Sequence, residues 1–297
     1  MTILDLLGDE LQRLASALEP HGVPIIIGGG YGLLLRQQHV EASGVRTLRP
    51  IPTARSTNDL DVFLTVELVA DAEKMAALGR VLADHGFEAV EGAEYYQFAR
   101  PVTYGGRATS LKVDLLAPPP RPGTELREKV KVDVRRVRPK KRDKSAPIVQ
   151  AHTTEEAFTI EEHTLVLPLG GTGGVEVLVP HPFSFLLLKL FAYRDRREDE
   201  EKGFGQYHAY DLYRIVAMMT AEDFQQAEAL RDQWLDDEIV IEARRIVAEL
   251  FGDADAEGAL AVLEHARSVA DRTLTGEDAA AFTNDLRELL PRPDSTP

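Results

Sequence analysis

The sequence predicts an α/β (α+β) fold, in which a mixed sheet with helices is followed by a helical C-terminal part. Up to residue 180, short apolar or alternating segments of strand length are interleaved with longer segments of helical periodicity. From Pro182 onward the hydrophobic pattern is almost entirely helical, and Pro180-His181-Pro182 separates the two patterns. We therefore expect an α/β domain over residues 1–180 and a helical domain over residues 181–297.

The elements of the first domain follow from two periodicities in the sequence. Apolar spacing near 3.6 residues predicts helices at Ile3–Leu18, Tyr31–His39 and Val66–Gly86. Apolar or alternating runs predict strands at Pro24–Ile27, Phe87–Val90, Tyr95–Arg100 and Leu111–Leu116. A glycine-rich turn between Thr164–Leu169 and Val175–Val179 predicts a β-hairpin. After the proline-rich stop at residues 118–123, valines that alternate with charged residues favour an outer strand.

The composition excludes several classes of site. The 297 residues include no cysteine, which rules out disulfides, zinc–thiolate sites and thiol catalysis. The N-terminus lacks a signal-peptide pattern, and the longest apolar runs are too short to span a bilayer. These observations favour a soluble cytoplasmic protein without a membrane partner.

The charge of the chain is unevenly distributed. The formal net charge is −15, but residues 127–144 contain ten Lys or Arg and only three acids. Such a segment is typical of a basic surface that binds the nucleic-acid backbone, or of a solvated hairpin whose charges prevent aggregation, and both interpretations stay open. The candidate RNA-binding residues in it are Arg135, Arg136, Arg138, Lys140, Lys141 and Arg142.

An acidic pair carries the strongest chemical signal. Asp59 and Asp61 are two residues apart, so on a strand both side chains leave the same face. Two neighbouring carboxylates repel each other unless a cation lies between them, and oxygen-only ligands suit Mg²⁺ or Mn²⁺. A third acid, Asp114, lies on another predicted strand. A solvated strand edge would explain one Asp-x-Asp alone, but the three acids together indicate a metal-dependent nucleotidyl-transfer site.

A glycine turn precedes this pair. Gly28-Gly29-Gly30 joins a predicted strand to a predicted helix, where backbone N–H groups can approach a phosphate without obstruction by a Cβ atom. Taken alone, such glycines more often form a tight strand-to-helix turn with no ligand. The sequence matches neither the P-loop, because no Gly-Lys-Ser/Thr follows, nor the Rossmann fingerprint.

These motifs resemble those of a known superfamily. The Gly-Gly turn, the Arg-x-Thr-x-Asp-x-Asp motif at residues 55–61 and the Lys-x-Asp motif at residues 112–114 resemble nucleotidyltransferases with a DNA polymerase β-like core. Within that superfamily the chain most resembles the AbiEii/MenT group of toxin nucleotidyltransferases. The later segment around Lys189 and Tyr210-Asp211-Leu212 is also similar to that group. The resemblance covers approximately Ile25 to Tyr213.

The resemblance implies a polymerase β-like core with a helical C-terminal domain that completes the active site. Gly28 and Gly29 would hold the phosphates of a nucleoside triphosphate (NTP). Asp59 and Asp61 would bind the metal ions, with Asp114 as the third carboxylate that helps to activate the acceptor hydroxyl.

The resemblance also implies roles for residues in the second half of the chain. Lys189 would contact the triphosphate or stabilise developing charge, and Asp211 would orient Lys189 or the base. The remaining candidate NTP-binding residues are Arg55, Thr57 and Arg196. Lys189 and Arg196 are seven residues apart, hence on one face of a helix predicted from Phe183 to Glu201.

Other interpretations of these residues remain open. Lys189 could be a lysine that extends along an apolar helix, and Asp211 a structural partner of Arg214. Tyr207-His208 replaces a Lys-Asp pair that the family often has, which leaves the role of His208 open.

The activity implied is transfer of a nucleoside monophosphate from an NTP onto an acceptor hydroxyl, with release of pyrophosphate. Members of the AbiEii/MenT group modify the 3′ end of tRNA and act as toxins, so tRNA and an antitoxin encoded nearby are the expected partners. Phosphorylation of Ser56 or Thr57 is one conceivable means of inhibition. Two alternatives are transfer to a protein or small molecule, and a non-catalytic nucleotide-binding regulator. The three carboxylates argue against the regulator.

Overall fold

The computed structural model describes residues 2–55, 57–170, 174–269 and 274–293. The chain divides into two compact units, one formed by residues 1–36 with 56–180 and the other by residues 37–55 with 181–297. Residues 37–55, which the sequence pattern predicts to be part of the first domain, belong to the second unit. Within the described ranges, no helix combines the length and the apolar character that crossing a bilayer requires.

The first unit is built on one mixed sheet, which has ten strands in the described part of the chain. The strands are β1 Ile26–Ile27, β2 Asp59–Phe63, β3 Glu88–Ala89, β4 Gln97–Tyr104, β5 Arg107–Ala117, β6 Val130–Val132, β7 Arg136–Pro139, β8 Ala151–Thr153, β9 Leu165–Pro168 and β10 Glu176–Val179. The spatial order is β6-β7-β8-β5-β2-β1-β10-β9, and β4 pairs with both β3 and β5. The α/β prediction is confirmed, as is the outer strand β6 in the basic segment.

The sheet has β2 and β5 at its centre, and they run parallel to each other. β4 runs antiparallel to β5, and β1 antiparallel to β2. Along β2, Leu60 and Val62 are buried, whereas Asp59 and Asp61 on the opposite face are partly exposed. This alternation, which the sequence predicted, directs the acids away from the apolar core.

The helices with residues in the first unit are α1 Ile3–Leu18, α2 Gly29–Ser43, α3 Val66–Ala70, α4 Ala72–Asp84 and α5 Leu126–Lys129, and α2 continues into the second unit. The prediction of one helix from Val66 to Gly86 was wrong. Asp71 adopts an extended backbone conformation, and its side chain accepts hydrogen bonds from the N–H groups of Glu73 and Lys74. It therefore caps α4 and separates that helix from α3.

Two hairpins of the sheet differ in how well they were predicted. β9 and β10 form the expected hairpin, although the turn residues Gly171, Thr172 and Gly173 lie outside the described residues. The hairpin of β4 and β5 was missed. Gly105 and Gly106 both have positive φ angles, +55° and +76°, as a two-residue turn between antiparallel strands requires.

The second unit is helical, as predicted. It contains α6 Pro182–Arg196, α7 Gln206–Met218, α8 Ala221–Gln233, α9 Glu238–Leu250, α10 Glu257–Ser268 and α11 Gly276–Leu289. The helix predicted from Phe183 to Glu201 ends at Arg196 because the following segment is not α-helical: Gly203 and Phe204 both adopt left-handed conformations. The segment 37–55 is held in this unit by backbone bonds such as Leu48 N–H to the Met219 carbonyl, at 2.8 Å.

Candidate active site

Three polar side chains lie in one row across neighbouring strands of the first unit. Asp61 on β2 is the direct register partner of Asp114 on β5, and Asp114 is in turn the partner of Gln97 on β4. Directly paired side chains share a face of the sheet, with Cβ atoms about 5 Å apart. The two acids that lie more than fifty positions apart in sequence therefore meet on one face, as a shared metal site requires.

The neighbouring row contains the other acid of the pair. Asp59 is the register partner of Lys112, and the Thr57 hydroxyl donates a hydrogen bond to the Asp59 carboxylate. Thr57 is only 6% exposed. Its hydroxyl is therefore engaged with Asp59, an arrangement that favours positioning of this carboxylate over direct contact with a nucleotide. Ser56, the other candidate for phosphorylation, lies outside the described residues.

Asp114 is the acid with the most perturbed environment in this group. Burial raises its pKa to about 6, the charge of Asp59 adds to the rise, and Gln97 and Lys112 oppose it. Gln97 Nε2 donates to Asp114 Oδ2 over 3.2 Å, whereas Asp114 Oδ1 is buried without a hydrogen-bond partner among the described residues. A buried carboxylate oxygen without a donor is costly unless something else binds it.

The glycine turn packs directly against this row. A Cβ atom at Gly29 would lie 1.6 Å from Asp61 Oδ2, and one at Gly28 would lie 2.3 Å from the Phe63 ring. Gly29 also has a φ of +58°, and the Gly28 N–H donates to the Asp61 carbonyl over 2.8 Å. Close approach to β2 is thus a sufficient reason for both glycines, whether or not their N–H groups also bind phosphate.

The carboxylates fit a divalent cation. In the described ranges, no group of three His, Cys, Asp or Glu side chains is already close enough together to hold a metal ion. However, Asp61 and Asp114 place like charges at paired positions, which destabilises a sheet unless a cation intervenes. The donors are all carboxylate oxygens, and Asp114 Oδ1 has no hydrogen-bond partner within the described ranges, so this set suits Mg²⁺ or Mn²⁺.

A second charged cluster lies in the helical unit around Asp211. This carboxylate is fully buried; its Oδ2 is 2.9 Å from Lys189 Nζ and 3.0 Å from Arg55 Nε, and its Oδ1 is 3.0 Å from an Arg214 guanidinium nitrogen. Burial alone would raise the pKa of Asp211, but the three cations hold it well below its ordinary value. Three cations surround one carboxylate, so the cluster carries an excess of positive charge.

This geometry bears on the alternatives that the sequence left open. Lys189 is 6% exposed and ion-paired, unlike a lysine that extends along a helix into solvent. Asp211 contacts both Lys189 and Arg214, so it can orient the lysine and pair with the arginine at once. Arg196, at the end of α6, is exposed and donates to the Tyr207 hydroxyl over 3.1 Å.

His208 adjoins the cationic cluster as an uncharged residue. It is 8% exposed, and neither ring nitrogen has a hydrogen-bond partner in the described chain. Burial, followed by the charge of Lys189, lowers its pKa to about 2, although Asp211 opposes this. Its ring lies 4.0 Å from that of Tyr207, whose face is covered by the Arg55 guanidinium at 5.1 Å. The imidazole is thus a neutral group at physiological pH.

The candidate RNA-binding residues lie on the outer hairpin of the sheet. Arg135, Lys140, Lys141 and Arg142 are exposed, whereas Arg136 and Arg138 are half-buried. Arg136 covers the Tyr95 ring at 5.1 Å and pairs with Asp133. A groove of about 990 Å³ beside the hairpin is lined by Lys140 and Lys141, together with Arg127 and Lys129, which were not among the named candidates.

Comparisons with known proteins identify the family. Residues 41–237 match the family model described as nucleotidyltransferase, a range that includes all three acids of the first unit as well as Lys189 and Asp211. No curated protein matches the sequence significantly. A solved structure, an antigenic nucleotidyltransferase-like protein from Paracoccidioides brasiliensis, is 15% identical over 80% of this chain and 92% of that chain, with a TM-score of 0.38.

The structural similarity is too weak to support an argument. The family match is strong enough to do so. It spans more than half of the chain and contains the paired carboxylates, whereas the glycine turn at residues 28–30 lies outside it. The protein therefore belongs to this nucleotidyltransferase family and is a nucleotidyltransferase.

Proposed function

We propose that this nucleotidyltransferase moves a nucleoside monophosphate from an NTP onto the 3′-terminal hydroxyl of tRNA. The observation that carries the proposal is the environment of Asp114, which pairs with Asp61 across parallel strands and has a buried carboxylate oxygen without a hydrogen-bond partner among the described residues. Oxygen donors gathered on one face of a rigid sheet are what a nucleotidyl-transfer site needs in order to hold a divalent cation near phosphate.

Asp59, Asp61 and Asp114 are the proposed catalytic carboxylates of the first unit. Asp59, Asp61 and Asp114 would hold Mg²⁺ or Mn²⁺, which when bound neutralises phosphate charge and lowers the pKa of the acceptor hydroxyl. Asp114, the third carboxylate of the row, would accept the hydroxyl proton. Thr57 and Gln97 each hold one of these carboxylates through a hydrogen bond.

The transfer is a single displacement at phosphorus. The acceptor oxygen forms a bond to the α-phosphorus, and the bond between the α-phosphorus and the bridging oxygen of the β-phosphate breaks. The bond electrons leave with pyrophosphate. Because the phosphates carry most of the charge in this reaction, catalysis depends on positioning and on electrostatic stabilisation.

Lys189 and Arg55 are the candidate triphosphate-binding cations of the helical unit. Lys189 and Arg55 are held by Asp211, and three cations against one carboxylate leave a positive excess that suits a polyanion. Arg196 adds an exposed guanidinium at the end of α6. Pre-organised cations of this kind cost little reorganisation when the nucleotide binds.

The choice of tRNA rests on the AbiEii/MenT resemblance and on the basic hairpin. The groove is lined by four basic residues, Arg127, Lys129, Lys140 and Lys141, against two acids, Glu125 and Glu128, and this positive excess suits an RNA backbone. In that group the enzyme is the toxin of a toxin–antitoxin or phage-defence system, so we also propose a cognate antitoxin. Phosphorylation of Thr57 would require local opening, because the residue is buried and bonded to Asp59.

A labelling experiment tests the acceptor. Purified protein is incubated with each α-labelled NTP and Mg²⁺ in the presence of total tRNA, lysate protein or aminoglycosides. We expect label on the tRNA 3′ end, and we expect Asp61→Asn to lose about 10³-fold in rate, because one metal ligand supplies several kcal/mol of transition-state stabilisation. Asp84→Asn is the matched control, since it removes the same charge from an exposed helical position.

Two outcomes would contradict the proposal. Label on protein or aminoglycoside, but not on tRNA, would overturn the acceptor while keeping the transfer chemistry. Equal rates for Asp61→Asn and Asp84→Asn would overturn the carboxylate site itself. Sequencing of tRNA 3′ ends after expression of wild-type protein or of Asp59→Ala provides the corresponding test in cells.

A further inference from the structure

Gln97 is the uncharged member of the row that contains Asp61 and Asp114. It is the first residue of β4, a strand that pairs with β5 on the side away from β2. Asp114 therefore has Asp61 as its partner on one side and Gln97 as its partner on the other. The row thus consists of two acids and one uncharged donor.

The hydrogen bond from Gln97 makes the two oxygens of Asp114 unequal. Oδ2 accepts the amide N–H of Gln97 over 3.2 Å, whereas Oδ1 is buried with no hydrogen-bond partner among the residues described. An oxygen that accepts a side-chain donor is less available to a cation than one without any donor. The geometry therefore designates Oδ1 as the oxygen through which Asp114 acts.

We propose that Gln97 is a positioning residue that fixes the rotation of the Asp114 carboxylate, so that Oδ1 is presented to the divalent cation. The inference rests on the proposed nucleotidyl-transfer function and adds a residue to its site. Partners that hold metal-binding carboxylates through hydrogen bonds restrict ligand orientation, and their loss commonly reduces metal affinity or activity by about 10- to 100-fold.

An amide suits this place better than the other common donors. A lysine or arginine would bring a positive charge beside the carboxylate and compete with the cation for it. The Gln97 amide donates without changing the charge of the site, so Asp61 and Asp114 keep their full negative charge for the metal. Gln97 is also only half-buried, so its removal leaves no large cavity in the core.

The test compares Gln97→Met with wild type. Methionine has a similar volume but no N–H donor, so the change removes the hydrogen bond with little change in packing. Thr103→Val is the matched control, because Thr103 lies on the same face of β4, six residues further along, and is exposed. Three quantities are measured: Mn²⁺ affinity by electron paramagnetic resonance on the full chain, kcat and KM for NTP, and the thermal midpoint of unfolding.

We expect Gln97→Met to weaken Mn²⁺ binding and to lower kcat, each by about tenfold, with KM for NTP within about twofold. The thermal midpoint should stay close to that of Thr103→Val. A residue that merely satisfies a buried carboxylate would instead change the thermal midpoint and leave metal affinity and kcat unaltered. That result would overturn the inference alone.

The same measurements separate this inference from the proposed function. If wild type binds Mn²⁺ without nucleotidyl transfer and Gln97→Met weakens that binding, the proposed function fails and the positioning role stands. If wild type transfers nucleotides and Gln97→Met equals Thr103→Val in affinity and kcat, the function stands and the positioning role fails. If wild type neither binds Mn²⁺ nor transfers nucleotides, both are wrong.

Discussion

Asp114 and Asp211 are the same residue type in opposite environments. Asp211 is fully buried, yet Lys189, Arg55 and Arg214 lower its pKa below the ordinary value. Asp114 is less buried, but its pKa rises to about 6, because burial and the charge of Asp59 act on it and only Gln97 and Lys112 oppose them. The charge of Asp211 is balanced by cations of the protein itself. The charge of Asp114 can be balanced by a bound cation or proton.

The difference separates a carboxylate whose charge is paired within the protein from one whose buried oxygen has no hydrogen-bond partner among the described residues. A buried carboxylate whose partners are already present is paired and rigid, and removal of any member leaves an uncompensated buried charge. A partly buried carboxylate that faces another acid destabilises the folded state, and binding of a cation or a proton removes this destabilisation. The contrast therefore predicts opposite effects on stability for the same Asp→Asn change in the two units.

The largest expected effect on stability is at Asp211. Asp211→Asn should lower the free energy of unfolding by about 3 kcal/mol, because Lys189, Arg55 and Arg214 would repel one another without the carboxylate. Urea denaturation of the purified protein measures this change. Adding Lys189→Met to Asp211→Asn should restore part of the loss, since it removes one unpaired cation. A loss below 1 kcal/mol would show that solvent, and not Asp211, compensates these cations.

A smaller effect is expected from His208 as the pH falls. An unfolded histidine takes up a proton near its ordinary pKa of 6.5, whereas burial and Lys189 keep folded His208 neutral down to about pH 2. Between these values the unfolded state binds the extra proton, so stability decreases as pH falls below 6.5, by at most about 1.4 kcal/mol per pH unit.

The comparison for this residue is His208→Phe, an uncharged ring of similar size. Unfolding free energies of both proteins are measured at several pH values from 7 to 5. The wild type should lose more stability across this range than the variant, by about 2 kcal/mol at pH 5. Parallel pH dependences for the two proteins would mean that His208 is protonated in the folded state.

The smallest expected change in the free energy of unfolding is that of Asp114→Asn. It should be stabilising, whereas Asp211→Asn should be destabilising. The folded pKa of Asp114 is raised, so the folded state binds more protons than the unfolded state between pH 3.8 and about 6, and stability is lost as pH rises through that range. Above pH 7 the ionised carboxylate is a net cost. Asp114→Asn should therefore stabilise the metal-free protein at pH 8 by about 1 to 2 kcal/mol.

Addition of Mn²⁺ sharpens this last prediction. The ion should stabilise wild type at pH 8 and should stabilise Asp114→Asn much less, because the variant has one fewer carboxylate ligand. Thermal unfolding with and without Mn²⁺ measures both effects. If Asp114→Asn were less stable than wild type without metal, the charge of Asp114 would be paired within the protein, as that of Asp211 is.

The sequence predicted the local parts of this arrangement better than the non-local ones. Alternation around Asp59 and Asp61 predicted a strand with both acids on one face, because strand periodicity is a property of neighbouring residues. The meeting of Asp61 with Asp114 was expected from the set of three acids and from the family resemblance, because no local pattern encodes which strands are adjacent. Gln97 was missed, because its relation to Asp114 exists only through the register of β4 and β5.

Some of the misses had a signal in the sequence. Gly105-Gly106 between alternating residues is a strong indication of a two-residue hairpin, and would have extended both strands to their observed lengths. Asp71 after a short apolar run, followed by Glu73, is similarly typical of a helix N-cap. The ion pair of Arg55 with Asp211 had no such signal, since 156 positions separate the two residues.

Gly29 has no side chain, and the proposed reaction depends on that absence. Any side chain there would occupy the place of an Asp61 carboxylate oxygen. An alanine would therefore displace the carboxylate of Asp61, the proposed metal ligand 32 positions away, although Asp61 itself stayed unchanged in the sequence. A descendant of this enzyme that gave up nucleotidyl transfer would be released from that restriction, so a side chain at position 29 would be an early mark of lost activity.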